Sequence, residues 1–282
     1  MDVGLVARSP PRGLPRAPGS VIVTQKPTHY PRVRHLDGSV ALRYPRAPMG
    51  QLGAEARAAV ALLTVLDGTR DAPTGTLAGA LAFFPLVGLG EGLLAAAIGA
   101  ATARAAPALA GPIAVAVLAV VAGGAPSRAL AHAVAAAGRP RFAGAAVAVL
   151  ALAVKLVAVA RLPAAARTAA VVLAPMLGAW AMVVQCYGGP PGEGPDPAAR
   201  LVGRARFREF GAASLGAFAV TLAIGDAVGL LVLVCAALVT LGIRVTAHGG
   251  RGGLAGLHLG ATRELVETVV MAVLGVLAQL KT

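Results

Sequence analysis

This chain has little charge. Only 13% of its 282 residues are charged, against 57% hydrophobic, and the mean hydropathy is +0.77. So little polar surface cannot wrap a water-soluble globule, which leaves an integral membrane protein. Cysteine is nearly absent. Cys186 and Cys235 lie in or beside apolar segments, with no second pair and no histidines at metal-ligand spacing, so a disulfide framework and a zinc module are both excluded. Aromatic residues make up 4%, and the basic residues form no continuous face on a folded domain, so the net charge of +13 does not indicate a nucleic-acid partner. Also missing are a Ser/His/Asp arrangement, a Walker motif and a dinucleotide fingerprint.

What is present is apolar sequence in separated runs. Each is near the roughly 20 residues needed to cross about 30 Å of hydrocarbon as a helix, and none shows the alternation of barrel strands. The chain is therefore read as all-α, a polytopic transmembrane helical bundle. Residues 1–53 hold many prolines and arginines, with Arg8, Arg12 and Arg16 set among Pro10, Pro11, Pro15 and Pro18. They lack both a hydrophobic period and the features of a signal peptide, so they are expected to form a disordered tail preceding a transmembrane domain over 54–282. Spans are expected over 77–101, 109–123, 142–160 and 168–187, over 211–243 as two spans broken near Gly225 and Asp226 or one long tilted span, and after the glycine-rich turn 249–260. With the amphipathic run 54–66, the total is about seven. Arginine concentrates in the first fifty residues and in the turns, where the positive-inside rule and anionic headgroups account for it. The expected setting is the inner (plasma) membrane, multi-pass, with a cytoplasmic amino-terminal tail and the lipid bilayer as the partner of the basic charge.

Few polar groups interrupt the apolar runs, and those few are the candidates for chemistry. Lys155, in the middle of LALAVKLVAVA, costs about 3 kcal/mol or more as a buried ammonium. Something must accept that charge. Snorkelling, an ion pair with Asp226, Glu91 or Glu267, and a cation holding a phosphate in a polar cavity are all consistent with its position. Glu264 and Glu267 are three residues apart at the start of the last span, so they share one helix face. The helix dipole accounts for Glu264, whereas Glu267 lies a turn deeper, where a metal or Lys155 would have to compensate it. Gly249, Gly250, Gly252, Gly253 and Gly256, with Arg251, form a loop of the kind that approaches phosphate at a helix amino terminus. Arg139 and Arg141 precede the span that carries Lys155.

These pieces resemble the cobalamin-5'-phosphate synthase family, the membrane-bound adenosylcobinamide-GDP ribazoletransferases. The resemblance runs over roughly 54–280 and rests on ALAFFPLVGLGEGLL from Ala80, the span holding Lys155 with Arg139 and Gly144 ahead of it, LAPMLGAWAMV from Leu173, and GGLAGLHLGATRELVE from Gly252. It implies joining of GDP-activated cobinamide to alpha-ribazole or its phosphate with release of GMP, dependent on Mg²⁺. In that picture Glu267 and Lys155 are catalytic, Arg139, Lys155 and Arg251 hold substrate phosphates, Glu264 and Glu267 hold the metal, and corrinoid and nucleoside are the substrates. The family's aspartate-rich stretch between the third and fourth spans has no counterpart here, where APSRALAHAVAAAGRPRF follows Gly124 without a carboxylate. A non-catalytic relative that scaffolds other cobalamin-assembly proteins, or binds a corrinoid, is the alternative expectation.

Overall fold

A computed structural model of the chain describes residues 49–65, 74–189, 201–249 and 253–280. Residues 1–48 of the expected tail, most of the Pro/Gly loop after Tyr187, and Arg251 lie outside the described residues. Among those described, nine α-helices follow in order. They are α1 (Met49–Leu63), α2 (Thr74–Ala80), α3 (Phe84–Ala105), α4 (Ala110–Val121), α5 (Ala125–Ala136), α6 (Arg141–Ala160), α7 (Ala164–Cys186), α8 (Phe207–Gly249) and α9 (Gly256–Gln279). The first of them begins at Met49, inside the stretch assigned to the tail from sequence.

Local chemistry explains most boundaries. Proline opens α3 at Pro85 and α5 at Pro126, where its missing N–H costs nothing. Pro140 and Pro163 sit just outside α6 and α7. Between α4 and α5, Gly123 (φ 60°) and Gly124 (φ 62°) are both left-handed, a conformation that glycine adopts without a Cβ penalty. The two helices bend there by 75°, and Arg128 ties the elbow by donating to the Gly123 carbonyl at 2.6 Å.

At the centre of the bundle lies α7, with 83% of its apolar window buried against 17% for α8. It can be approached closely because its neighbours lack side chains at the crossing points. A Cβ on Gly88 of α3 would lie 2.4 Å from the Pro175 carbonyl oxygen, and one on Gly92 would lie 2.7 Å from the Val172 Cα. Small residues at such crossings are how apolar helices associate in lipid, where no hydrophobic drive holds them together.

Helix α8 doubles back on itself at Asp226, whose φ of 49° and ψ of −138° break the helix. Residues eight apart in a straight helix are about 12 Å apart, yet a Cβ on Gly229 would lie 2.4 Å from the Thr221 carbonyl oxygen. The legs 207–225 and 227–249 therefore run antiparallel, side by side. Both open ends sit at the carboxyl end of α7. Trp180 donates to the Ser214 hydroxyl there at 3.1 Å, and Arg244 donates to the carbonyls of Val184 (3.1 Å) and Tyr187 (3.0 Å). The break expected at Gly225 and Asp226 is thus a reversal.

Among the described residues, four helical stretches are long and apolar enough to cross a membrane: Thr76–Ala105, Arg141–Ala160, Ala164–Cys186 and Phe207–Ala247. The bent pair of α4 and α5 raises the number to five. This is fewer than the seven expected from sequence. The two legs of α8 are continuous in length and composition, and α9 carries Arg263, Glu264 and Glu267 within its apolar run.

If the α3–α7 contact holds the bundle, Gly88→Val will lower stability by about 1–3 kcal/mol, the usual cost of overpacking. Gly90→Ala, where a Cβ meets nothing within 4 Å, serves as the control and should cost little. Thermal unfolding of the two variants in the same detergent reads the difference.

Candidate functional site

Five ionic side chains from three helices meet in the apolar interior. Lys155 projects from α6, Glu91 from α3, and Arg263, Glu264 and Glu267 from α9. All are buried, none exposing more than 6% of its surface. The Lys155 Nζ stands 2.9 Å from Glu264 Oε1 and 2.8 Å from Glu267 Oε2, so one ammonium is shared by two carboxylates. Arg263 continues the chain: its Nε donates to Glu267 Oε1 at 2.8 Å, and its guanidinium bonds the Glu91 carboxylate. The order is Glu91–Arg263–Glu267–Lys155–Glu264.

Why this cluster forms follows from spacing and from one absent side chain. Arg263 and Glu267 are four residues apart and so stack on one face of α9, while Glu264 sits a turn below Glu267 on the side facing α6. Against them, on α7, is Gly178, where a Cβ would lie 3.0 Å from the Cγ atoms of both Arg263 and Glu267. The glycine makes room for two long side chains at the most tightly packed part of the bundle.

Counted as ionised groups, the cluster holds three carboxylates and two cations, one negative charge in surplus. Glu91 Oε1 is buried without a hydrogen-bond partner. Burial of unpaired charge is costly, and pairing offsets the cost only where geometry is good. Lys155, Glu264, Glu267 and Arg263 meet that condition; one oxygen of Glu91 does not.

Beside Lys155 is a small cavity of 20 Å³, lined by Gly124, Ser127, Leu152, Lys155, Glu264 and Glu267 among others. A water needs about 10–15 Å³ of such volume, so the cavity has space for about one. An Mg²⁺ ion takes about six oxygens at near-octahedral geometry, usually keeping several waters and sharing substrate phosphates. As arranged, these residues do not fit it: the lysine ammonium lies between the two glutamates where a cation would sit, and the adjoining space admits neither its waters nor a pyrophosphate. Among the described residues, no group of three or more His, Cys, Asp or Glu side chains is placed to hold a metal ion.

Of the residues singled out from sequence, Lys155, Glu264 and Glu267 come together. Arg139 does not join them; it is exposed in the turn between α5 and α6. Asp226, one of three partners considered for Lys155, is exposed at the α8 reversal, and Glu91 pairs instead with Arg263. Arg263 itself escaped the sequence reading. Its signal was available in its i, i+4 relation to Glu267. His258 is helical rather than in a connection, and its Nδ1 accepts from the Ala255 backbone N–H at 3.0 Å to cap α9.

Removing one partner from a buried ion pair costs about 3–5 kcal/mol. Lys155→Met is expected to lose that much stability, because two carboxylates then face each other without a cation. Adding Glu264→Gln restores the original one-charge surplus and should recover part of the loss. Denaturation of the single and double variants in detergent measures it; a double variant less stable than the single one refutes this charge accounting.

The stretch 142–275 matches the family model described as Cobalamin-5-phosphate synthase. No curated protein and no solved structure matches the chain. The matched stretch holds Lys155, Arg263, Glu264 and Glu267, and it does not reach back to Glu91 or the α4–α5 elbow. Four of the five cluster residues lie inside that match, and the match supports assignment of this stretch to the cobalamin-5-phosphate synthase family and with it a role in cobalamin biosynthesis.

Proposed function

We propose that this protein serves cobalamin assembly as a non-catalytic membrane relative, a scaffold or corrinoid binder, and does not itself join cobinamide to alpha-ribazole. The observation that carries the reading is the shared ammonium. With Lys155 bonded at 2.8 and 2.9 Å to Glu267 and Glu264, the ammonium is taken up by both carboxylates and none of the three groups is free for phosphate or metal. The elbow between α4 and α5 offers no carboxylate in compensation.

A second reading keeps the transferase. One observation favours it: Lys155, Glu264 and Glu267 all fall within the family match. In that reading Glu267 and Lys155 act in catalysis, Glu264 and Glu267 take Mg²⁺, and Arg139, Lys155 and Arg251 hold phosphates. It requires the cluster to open, with Lys155 released from both carboxylates before any substrate enters.

The proposed setting is the inner membrane, crossed seven times. That number counts 76–105, the bent pair α4 and α5, α6, α7, each leg of α8, and α9; the legs 207–225 and 227–249 are each near the roughly 20 residues a crossing requires. Arg139, Arg141, Arg204, Arg206, Arg208 and Arg244 gather at the end where α7 finishes and α9 begins, against Arg104, Arg161 and Arg167 at the other. By the positive-inside rule the first end is cytoplasmic, together with the amino-terminal tail.

Purified protein supplied with GDP-cobinamide, alpha-ribazole and Mg²⁺ is expected to release no more GMP than a Lys155→Ala, Glu267→Ala variant. It should retain a corrinoid through size exclusion, followed by its visible absorbance. GMP release above that control, with a cobalamin product, establishes the transferase and overturns the proposal.

A further inference from the structure

At the end of the bundle opposite the amino terminus of α9, a second cavity opens between α3, α4 and α7. Its volume is 250 Å³. The walls are methyl groups and bare backbone: Ala96, Ala100 and Ala103 from α3, Ala114 from α4 and Val171 from α7. An apolar cavity of about 150 Å³ already takes up benzene, so this one admits a larger hydrocarbon segment.

The cavity has one ionic lining group. Arg167 is half-buried, one turn inside α7, and its guanidinium makes no hydrogen bond or ion pair among the described residues. Thr168, the other polar group in the lining, spends its hydroxyl on the Ala164 carbonyl at 3.1 Å. No acidic residue lines the cavity. Arg104 and Arg161, both exposed, stand at the same end of the bundle.

Depth and chemistry together select the ligand. From Ala105, where α3 ends, to Ala96 the helix descends about 13 Å, so the cavity starts at the expected headgroup level and continues into the hydrocarbon layer. A free anion would use the guanidinium and leave the alanine wall idle. We infer that this cleft binds one anionic phospholipid, with its phosphate on Arg167 and an acyl chain along the wall formed by α3 and α4. The site is separate from the Lys155 cluster and independent of whether that cluster is catalytic.

The test uses the full chain in detergent with equal amounts of phosphatidylglycerol and phosphatidylcholine bearing identical acyl chains, and counts retained lipid by native mass spectrometry. One phosphatidylglycerol is expected to be retained in preference. Arg167→Gln should lower its occupancy about fivefold, the worth of one basic side chain at an anionic surface, and leave phosphatidylcholine unchanged. Arg104→Gln, outside the lining, should have little effect. Ala103→Leu fills the cleft and should lower the retention of both lipids; if that variant does not fold, Arg167→Gln alone decides. Equal retention of the two lipids by the unaltered protein, or indifference to Arg167→Gln, overturns the proposal. So does displacement of the signal by inorganic phosphate irrespective of acyl chain, since the ligand would then be a free anion.

Discussion

One ammonium held between two carboxylates in an apolar interior is the constraint on which the middle of this molecule depends. Lys155 cannot be buried in α6 without an acceptor, and Glu264 and Glu267 cannot be buried in α9 without a cation. Each makes the other tolerable. The pairing fixes the register of α6 against α9, because a slip of one residue would turn Lys155 away from both oxygens. Arg263 extends the same logic to α3, linking Glu267 to Glu91. Directional contacts thus join three helices that otherwise meet largely through small and apolar side chains.

The glycines supply the complementary half of the design. Where the ionic groups specify which faces meet, Gly88 and Gly92 let α3 lie against the α7 backbone, and Gly178 opens the space that two long side chains occupy. In a membrane, close approach of this kind takes the place of the hydrophobic drive that packs soluble cores. The result is a central α7 enclosed on nearly every side, with α8 folded as a hairpin along its carboxyl-terminal part.

For function, the same cluster cuts against the chemistry that the family resemblance implies. A site for pyrophosphate transfer needs carboxylates free for a cation and a cavity that admits the reacting groups. Here Lys155 and Arg263 occupy the carboxylates from within the cluster, the neighbouring space is about the size of a water, and the elbow between α4 and α5 carries glycine, proline and serine and no carboxylate. Ancestry and present chemistry are separate questions, and the match over 142–275 bears on the first alone.

Much of the fold was legible in the chain because it follows from local rules. Composition alone determined the membrane class and the lengths of the apolar runs determined helices, whereas the bend at Gly123 and Gly124 and the helix α5 that follows it came from the structure. The site was legible in part: Lys155, Glu264 and Glu267 stood out because an ionic group in an apolar run is expensive wherever it lies. Their partners were not legible. Nothing near Lys155 in sequence says that it meets Glu264 together with Glu267, 112 residues away, rather than Asp226, nor that Glu91 answers Arg263. The direction of the chain after Asp226 was equally hidden, since a kinked helix and a hairpin have the same composition. Only the tertiary structure decided these matters, because pairing depends on which helix faces approach within about 3 Å, and that is set by backbone contacts at glycines on other helices.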